Sequence, residues 1–197
     1  DEVKSHLDHT FKIVKPNIND FIDLMDRRCS ILIQKDIGQV LVHTGLGAGS
    51  RVVDAGTGAG AIALNFGNVV GPTGQVFTYE IREDFSEIAK KNIDNFGITN
   101  IEVKNQDIKD GIDEDNIDLV FLDLPKPFEI FEEVWDSLNV GGWLAVYAPY
   151  VGQAEVSYRV AKKLGFYDIE IIELLERGLE VRTQGVRPKT RMVGHSG

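Results

Sequence analysis

The stretch VVDAGTGAGAIA, residues 52–63, constrains the fold more than any other part of this 197-residue chain. An apolar run ends on Asp54, three glycines follow at alternate positions, and an apolar helical pattern begins directly after them. Glycine allows a sharp turn and lets a ligand approach the backbone without a Cβ in the way. The stretch therefore predicts a strand, a cofactor-binding loop and a helix in that order.

Strand and helix patterns alternate through the rest of the chain. Helices are predicted at residues 20–28, 61–66, 84–96, 128–138 and 153–164. Strands are predicted at residues 51–54, 75–80, 101–105, 117–123, 143–148, 169–175 and 191–193. Strands joined by crossover helices form parallel sheets. The predicted fold class is α/β, with a central, mostly parallel seven-stranded sheet and helices on both faces.

Four acidic residues end or closely follow different predicted strands: Asp54, Glu80, Asp107 and Asp123. Ligands of open α/β sheets bind beyond the carboxyl ends of the strands. We therefore expect the four carboxylates to lie near one edge, beside the glycine loop.

Composition excludes several classes of protein. With 43% hydrophobic and 26% charged residues, the chain is expected to be globular, and no apolar run approaches the roughly 20 residues that cross a bilayer. Cys29 is the single cysteine and the four histidines lack ligand spacing, so a cytoplasmic protein without a metal is expected. The net charge of −10 argues against general nucleic-acid coating. Local basic patches remain candidates at Arg27, Arg28, Lys35, Arg182, Arg187, Lys189 and Arg191.

The glycine loop by itself does not identify the cofactor. It fits both the dinucleotide pattern G-x-G-x-x-A and the methyltransferase pattern D-x-G-x-G-x-G, and Glu80 suits ribose hydroxyls in either. Asp54 and Asp107 favour S-adenosylmethionine, which is cationic and has no pyrophosphate for an acid to repel, although both fit solvated turns. Tyr158 and Lys162 form a Y-x-x-x-K pair like that of short-chain dehydrogenases, but no serine stands near Ala145. Chance is the preferred explanation of that pair.

The segment FLDLPKP, residues 121–127, carries Asp123 to the tip of an apolar strand and follows it with two prolines. Proline fixes φ and disfavours helix at the residue before it. A pre-set loop that holds Asp123 in place is the functional interpretation. A helix N-cap ahead of Phe128 is the structural alternative.

Several segments together resemble the tRNA (adenine-N1)-methyltransferases that act on the position-58 adenosine of the T-loop, particularly the archaeal form. They are RRCSILIQKD, DAGTGAGAIALNF, GPTGQVFTYEIREDFSEIAKKNI, IDLVFLDLPKP, GGWLAVYAPYVGQ and VRPKTRMVGHSG. The resemblance implies a class I methyltransferase fold, a homotetramer, and a small β-rich domain ahead of the catalytic one. Residues 1–17 would then be the end of that domain and a linker, and residues 18–197 the catalytic domain.

The resemblance also implies roles for individual residues. Asp123 would be the catalytic carboxylate, and Tyr147, Gln153, Arg187 and His195 would contact the substrate. Cofactor contacts would come from Leu32, Gly56, Gly58, Ala59, Gly60, Ala61, Glu80, Asp107 and Ile108. No metal is implied.

The resulting expectation is transfer of a methyl group from S-adenosylmethionine to N1 of adenosine 58 in tRNA, with position 57 as a second candidate. Asp123 would accept a hydrogen bond from the N6 amine while charge develops on the base. A methyltransferase of small molecules or proteins, a non-enzymatic RNA-binding subunit and an NAD-dependent oxidoreductase are the alternatives.

Overall fold

The computed structural model describes residues 1–192 and 194–197. The helices of these residues are α1 (Ile18–Leu24), α2 (Gln34–Thr44), α3 (Ala61–Val70), α4 (Glu83–Phe96), α5 (Phe131–Ser137) and α6 (Val151–Leu164), with 3-10 turns at Gly71–Thr73, Ile108–Asp110 and Pro127–Ile130. The strands are β1 (Glu2–Lys4), β2 (Thr10–Lys12), β3 (Arg51–Ala55), β4 (Gln75–Tyr79), β5 (Ile101–Lys104), β6 (Ile117–Leu122), β7 (Leu138–Val146), β8 (Leu179–Arg182) and β9 (Gly185–Pro188).

Five strands of the described residues form the central sheet, in the order β5-β4-β3-β6-β7, and every neighbouring pair is parallel. The register sets Ala55 opposite both Tyr79 and Leu122. The next residue after each of these three strand ends is therefore brought to the same edge of the sheet. Those residues are Gly56, Glu80 and Asp123.

One face of the sheet packs against the last two helices. Val53 and Val120 are fully buried in one cluster with Val134 of α5 and Ala161 of α6. Burying an aliphatic side chain of this size stabilises the fold by about 1.5–3 kcal/mol. This face therefore fixes the strand that ends at Asp123.

The opposite face packs against α2 and α3. Val52 and Phe121 share a cluster with Ile37 and Phe66, and the two phenylalanine rings meet edge to face at 5.7 Å. Helices thus cover both faces, as the sequence predicts.

The amphipathic helix predicted at residues 84–96 is confirmed as α4. Phe85, Ile88, Ala89 and Ile93 recur at helical spacing and are buried. Gly97 ends the helix with φ +83°, and its N–H donates to the carbonyl of Ile93.

The predicted seven-stranded sheet is not observed, because two of its strands do not join the ladder. Residues 169–175 have no strand structure, and Ile171 and Ile172 stay exposed. Of the predicted strand 191–193, residues 191 and 192 are not in a strand and Val193 lies outside the described residues. Alternating apolar residues indicate that a segment tends to form a strand, but they do not indicate the strand with which it pairs. Residues 179–188 instead form a separate antiparallel hairpin of β8 and β9.

Two features before the glycine loop differ from the sequence prediction. The first helix ends at Leu24 rather than residue 28, so residues 25–33 form a connecting segment. Helix α2, which follows that segment, was not predicted. Within the described chain, no helix has the length and apolar character needed to cross a membrane.

Candidate active site

The glycine loop joins β3 to α3 at the carboxyl edge of the sheet. Gly56, Gly58 and Gly60 have φ values of +87°, +54° and +89°, which other residues rarely adopt. A Cβ on Gly56 would lie 2.4 Å from the carbonyl oxygen of Asp123. Gly56 is therefore required twice, for its backbone conformation and for the close approach of the turn that carries Asp123.

Glu80 ties the second strand to the glycine loop. Its Oε2 accepts a hydrogen bond from the backbone N–H of Gly58 at 2.9 Å, and its Oε1 accepts one from the backbone N–H of Arg82 at 3.0 Å. The side chain of Asn105 donates to the Glu80 carbonyl at 2.8 Å. Each carboxylate oxygen keeps acceptor capacity for a further donor, such as a ribose hydroxyl.

Asp54 lies in β3 and is fully buried. Its Oδ2 accepts a hydrogen bond of 2.5 Å from the Thr78 hydroxyl, which is 2.6 Å from the Thr57 hydroxyl of the glycine loop. Among the described residues, Oδ1 has no hydrogen-bond partner. Burial raises the pKa of Asp54 to about 7, the Thr78 hydrogen bond opposes this, and the charges of Asp123 and Glu80 raise it further. A cation bound beside Asp54, Glu80 and Asp123 would be stabilised by the negative charge of all three carboxylates.

Asp123 is partly buried at the end of β6, and its N–H donates to the carbonyl of Ala55 at 2.9 Å. Burial raises the pKa of its carboxyl to about 6. The N-cap alternative is not supported, because Lys126 occupies the N-cap of the Pro127–Ile130 turn and makes no side-chain cap there. The Gln153 side chain donates to the Pro125 carbonyl at 2.8 Å and so braces the proline loop from α6.

A small cavity brings the glycine loop and the catalytic candidate together. Thr57 and Ile62 line it, as does the connecting segment at Ser30 and Ile31, and these four were not predicted as site residues. Their only sequence signal was their proximity to predicted residues. The predicted residues that line the cavity are Leu32, Gly56, Gly58, Ala59, Ala61 and Asp123.

The other predicted cofactor residues lie outside this lining, namely Gly60, Glu80, Asp107 and Ile108. Gly60 begins α3 and faces Ala89, so its role in the structure is packing. Asp107 caps the Ile108–Asp110 turn by accepting from the N–H of Lys109 at 3.0 Å, and Ile108 is buried. Both residues follow β5, which is separated from β6 and Asp123 by the two strands β4 and β3.

The predicted substrate residues occupy different places. The Tyr147 hydroxyl donates to the carbonyl of Ser196, and His195 contacts the Pro149 carbonyl through Nε2 at 2.7 Å. Arg187 is on β9 and pairs with Glu180 at 2.6 Å, and it does not line the cavity. Tyr147 and His195 thus hold the chain end near the loop after β7.

Two other groups of residues are less suitable as a binding or catalytic site than the cavity at the glycine loop. A cavity of about 430 Å³ lies at the amino-terminal edge of the sheet, but its one carboxylate, Asp118, accepts from the Arg51 N–H and from Asn139. Both oxygens are thus used structurally. Tyr158 and Lys162 lie on α6, and neither lines the site cavity. No group of three potential metal ligands is found in residues 1–192 and 194–197.

The charges at the carboxyl edge indicate which cofactor fits. Asp54, Glu80 and Asp123 would repel the pyrophosphate of a dinucleotide, whereas the sulfonium and amino groups of S-adenosylmethionine are cationic. The unpartnered Asp54 Oδ1 and the three positive-φ glycines fit such a ligand.

Comparison with solved structures supports this assignment. A structure described as an S-adenosylmethionine-dependent O-methyltransferase from Thermotoga maritima is 31% identical, with a TM-score of 0.92 over 100% of this chain and 74% of its own. A tRNA (m1A58) methyltransferase TrmI from Aquifex aeolicus is 28% identical, with a TM-score of 0.84 over 92% of this chain and 73% of its own. The fold is therefore that of a class I S-adenosylmethionine-dependent methyltransferase, with five parallel strands flanked by helices.

Sequence comparison narrows the class to a family. Residues 13–194 match the family described as tRNA methyltransferase complex GCD14 subunit. The chain is 37% identical, over all of its length and 79% of the relative's, to tRNA (adenine(57)-N(1)/adenine(58)-N(1))-methyltransferase TrmI of Methanocaldococcus jannaschii. It is 30% identical to the tRNA (adenine(58)-N(1))-methyltransferase catalytic subunit of Dictyostelium discoideum, of which it spans 54%. The chain belongs to the GCD14 family of tRNA methyltransferases.

Proposed function

We propose that this protein transfers a methyl group from S-adenosylmethionine to N1 of adenosine 58 in the T-loop of tRNA. Position 57 is a second acceptor to examine, because the archaeal relative is named for both adenines. The observation that carries the proposal is the placement of Asp123, a carboxylate held between the glycine loop and the proline turn in a chain of this family.

Asp123 has the properties that this reaction needs. S-adenosylmethionine supplies an electrophilic methyl group on a cationic sulfur. As adenine N1 acquires a methyl group, positive charge spreads to the exocyclic N6 amine, so a carboxylate accepting from N6–H binds more strongly in the transition state than in the ground state. A charge-assisted hydrogen bond of about 1.5–3 kcal/mol corresponds to roughly 10 to 150-fold in rate.

The protonation state of Asp123 agrees with an acceptor role. With its pKa raised to about 6 by burial, the carboxyl is ionised at neutral pH and accepts through both oxygens. Below that pKa it carries a proton and one oxygen becomes a donor. Activity should therefore fall as the pH drops through about 6.

The target base has to leave its stack, because N1 lies on the edge that pairs. We expect the adenine to be extruded and to rest against an aromatic ring. Tyr150 is 71% exposed at the start of α6, and Tyr147 is the first residue after β7. Both rings belong to the same edge of the sheet as Asp123.

Assembly of this chain as a homotetramer is part of the proposal. Leu179, Val181 and Val186 of the β8–β9 hairpin are 61%, 82% and 63% exposed. Apolar side chains at this density on a short hairpin favour burial against another chain. Light scattering at micromolar concentration tests the assembly. A mass equal to one chain would contradict it.

A product analysis tests the reaction. The protein is incubated with methyl-labelled S-adenosylmethionine and a tRNA transcript, with an A58→G transcript as the control, and the RNA is digested to nucleosides. Label in 1-methyladenosine that depends on A58 supports the proposal. Labelling of a small molecule or protein but not tRNA would contradict it.

The Thermotoga structure described as an O-methyltransferase points to a second candidate, methyl transfer to oxygen. A hydroxyl acceptor loses its proton, and Asp123 with a pKa of about 6 could accept it. The same nucleoside digest separates the two, since a 2′-O-methylated nucleoside and 1-methyladenosine are distinct products.

A further inference from the structure

The acidity of the site conflicts with an RNA substrate. The chain carries a formal charge of −10, and Asp54, Glu80 and Asp123 lie at the carboxyl edge of the sheet, where Asp123 lines the cavity. RNA is a polyanion whose binding depends on neutralised phosphates. Cations are therefore needed where the backbone passes the cavity.

Most basic side chains around the site already contact a carboxylate. Lys109 and Lys126 both pair with Glu129, at 2.5 and 3.3 Å. Arg82 pairs with Asp84 at 3.0 Å and stacks on a phenylalanine ring. A phosphate would compete with these carboxylates for all three side chains.

Three other basic residues named in the sequence analysis are also paired with carboxylates. Lys35 is buried and pairs with Asp36 at 2.5 Å. Arg182 and Arg187 both pair with Glu180 on the hairpin. None of the three is available at the rim of the cavity. Lys189 and Arg191 form no salt bridge among the described residues, but they follow β9 and do not line the cavity.

Arg27 and Arg28 differ from these. Both are exposed, and neither forms a salt bridge in the part of the chain that the structure describes. The neighbouring acid, Asp26, pairs with Lys91 at 3.5 Å instead. Two consecutive guanidinium groups are thus open to an external anion.

The segment that carries the two arginines is tied to the cofactor loop. The Asn92 side chain donates to the carbonyl of Asp26 at 2.7 Å and to the carbonyl of Ala59 in the glycine loop at 2.9 Å. The Cys29 sulfur would lie 3.1 Å from a Cβ on Gly58. The two arginines therefore stand on a backbone fixed at the rim of the cavity.

We propose that Arg27 and Arg28 bind the phosphates beside the target nucleotide and so position the RNA backbone at the mouth of the acidic cavity. This inference rests on the proposed function and names the surface through which that function meets RNA. Guanidinium groups suit the role because they remain charged and bind phosphate through two parallel hydrogen bonds. Such contacts fix position rather than read sequence.

The expected effect follows from counterion release. Each lost phosphate contact reduces the slope of log K against log salt by about 0.7 for single strands and about 0.9 for duplex, which is about five to eightfold in affinity at 0.1 M salt. An Arg27→Gln/Arg28→Gln variant should bind tRNA about 25 to 60-fold more weakly, with a slope smaller by about 1.4–1.8. KM for tRNA should rise by a similar factor, with kcat much less affected.

A matched control removes the same charge elsewhere. Lys162 and Lys163 are consecutive, exposed and in the last turn of α6, about 16 Å of helix from its start near the proline loop. A Lys162→Gln/Lys163→Gln variant should keep the wild-type slope and affinity. An Arg27→Lys/Arg28→Lys variant keeps both charges and should retain most of the slope.

The measurements are tRNA binding at several salt concentrations and calorimetric titration with S-adenosylmethionine. A lower slope in the arginine variant alone, with unchanged cofactor affinity, supports the inference. An unchanged slope in a protein whose wild type methylates tRNA would overturn the inference and leave the proposed function standing. A collapse of cofactor affinity would overturn it too, by assigning the arginines to the cofactor site. A wild type that neither binds nor methylates tRNA would overturn both.

Discussion

Asp54 gives a prediction that depends chiefly on burial and needs no ligand. The side chain is fully buried, and its pKa is raised from 3.8 to about 7, first by desolvation. Between these two values the folded protein holds a proton that the unfolded chain has lost. The free energy of unfolding therefore falls by about 1.4 kcal/mol per pH unit across this window, about 4 kcal/mol in total, and levels off above pH 7.

An Asp54→Asn variant removes this dependence while keeping the acceptor for the Thr78 hydroxyl. Its new NH₂ takes the place of an oxygen that has no partner among the described residues, which adds a cost that does not change with pH. The difference in unfolding free energy, variant minus wild type, should therefore increase by about 3 kcal/mol between pH 5 and pH 8.

Urea unfolding at pH 5, 6, 7 and 8, without cofactor, measures this difference directly. The pH-dependent change should be complete near pH 7. A difference that stays constant from pH 5 to pH 8 would refute the burial argument for Asp54, whatever the absolute stabilities.

Three further predictions concern the glycine loop and the carboxylates beside it. A Glu80→Gln variant keeps an acceptor for the Gly58 N–H but loses the charge, so its S-adenosylmethionine affinity should fall roughly tenfold in calorimetry; unchanged affinity would remove Glu80 from the cofactor site. A Gly56→Ala variant should lose about 2 kcal/mol or more of stability and most of its activity, because its φ is positive and the Cβ would lie 2.4 Å from the Asp123 carbonyl oxygen. Gly38→Ala in α2, where the added Cβ meets nothing within 4 Å, is its control and should be neutral or stabilising by up to about 1 kcal/mol; equal effects would contradict the argument. Finally, kcat/KM for tRNA should fall about tenfold per pH unit below the Asp123 pKa of about 6, and a flat profile from pH 5 to pH 8 would speak against an ionised Asp123.

The sequence predicted the part of the fold around the glycine loop. There, the residue pattern and the order of the elements along the chain indicate the same structure. The run of residues 52–63 combines a buried strand, glycines and an apolar helix, and the structure shows all three with positive φ at the glycines. Parallel pairing then places Glu80 and Asp123 beside Gly56, because the strand ends are in register. These site residues follow from the topology.

Long-range partners could not be predicted from local pattern. The hydrogen bonds of Asn92 to Asp26 and Ala59, and the brace of Gln153 on Pro125, join residues far apart in the chain. The predicted strand at residues 169–175 failed for the same reason, since alternation does not name the strand with which it pairs.

The most direct test of the central claim is the Asp123→Asn variant, assayed for both cofactor affinity and formation of 1-methyladenosine in tRNA. The substitution keeps the shape of the side chain but replaces one acceptor oxygen by a donor and removes the charge that offsets the developing cation. The account predicts S-adenosylmethionine affinity within about threefold of wild type and methylation slower by roughly 10 to 150-fold. Methylation at the wild-type rate would contradict it.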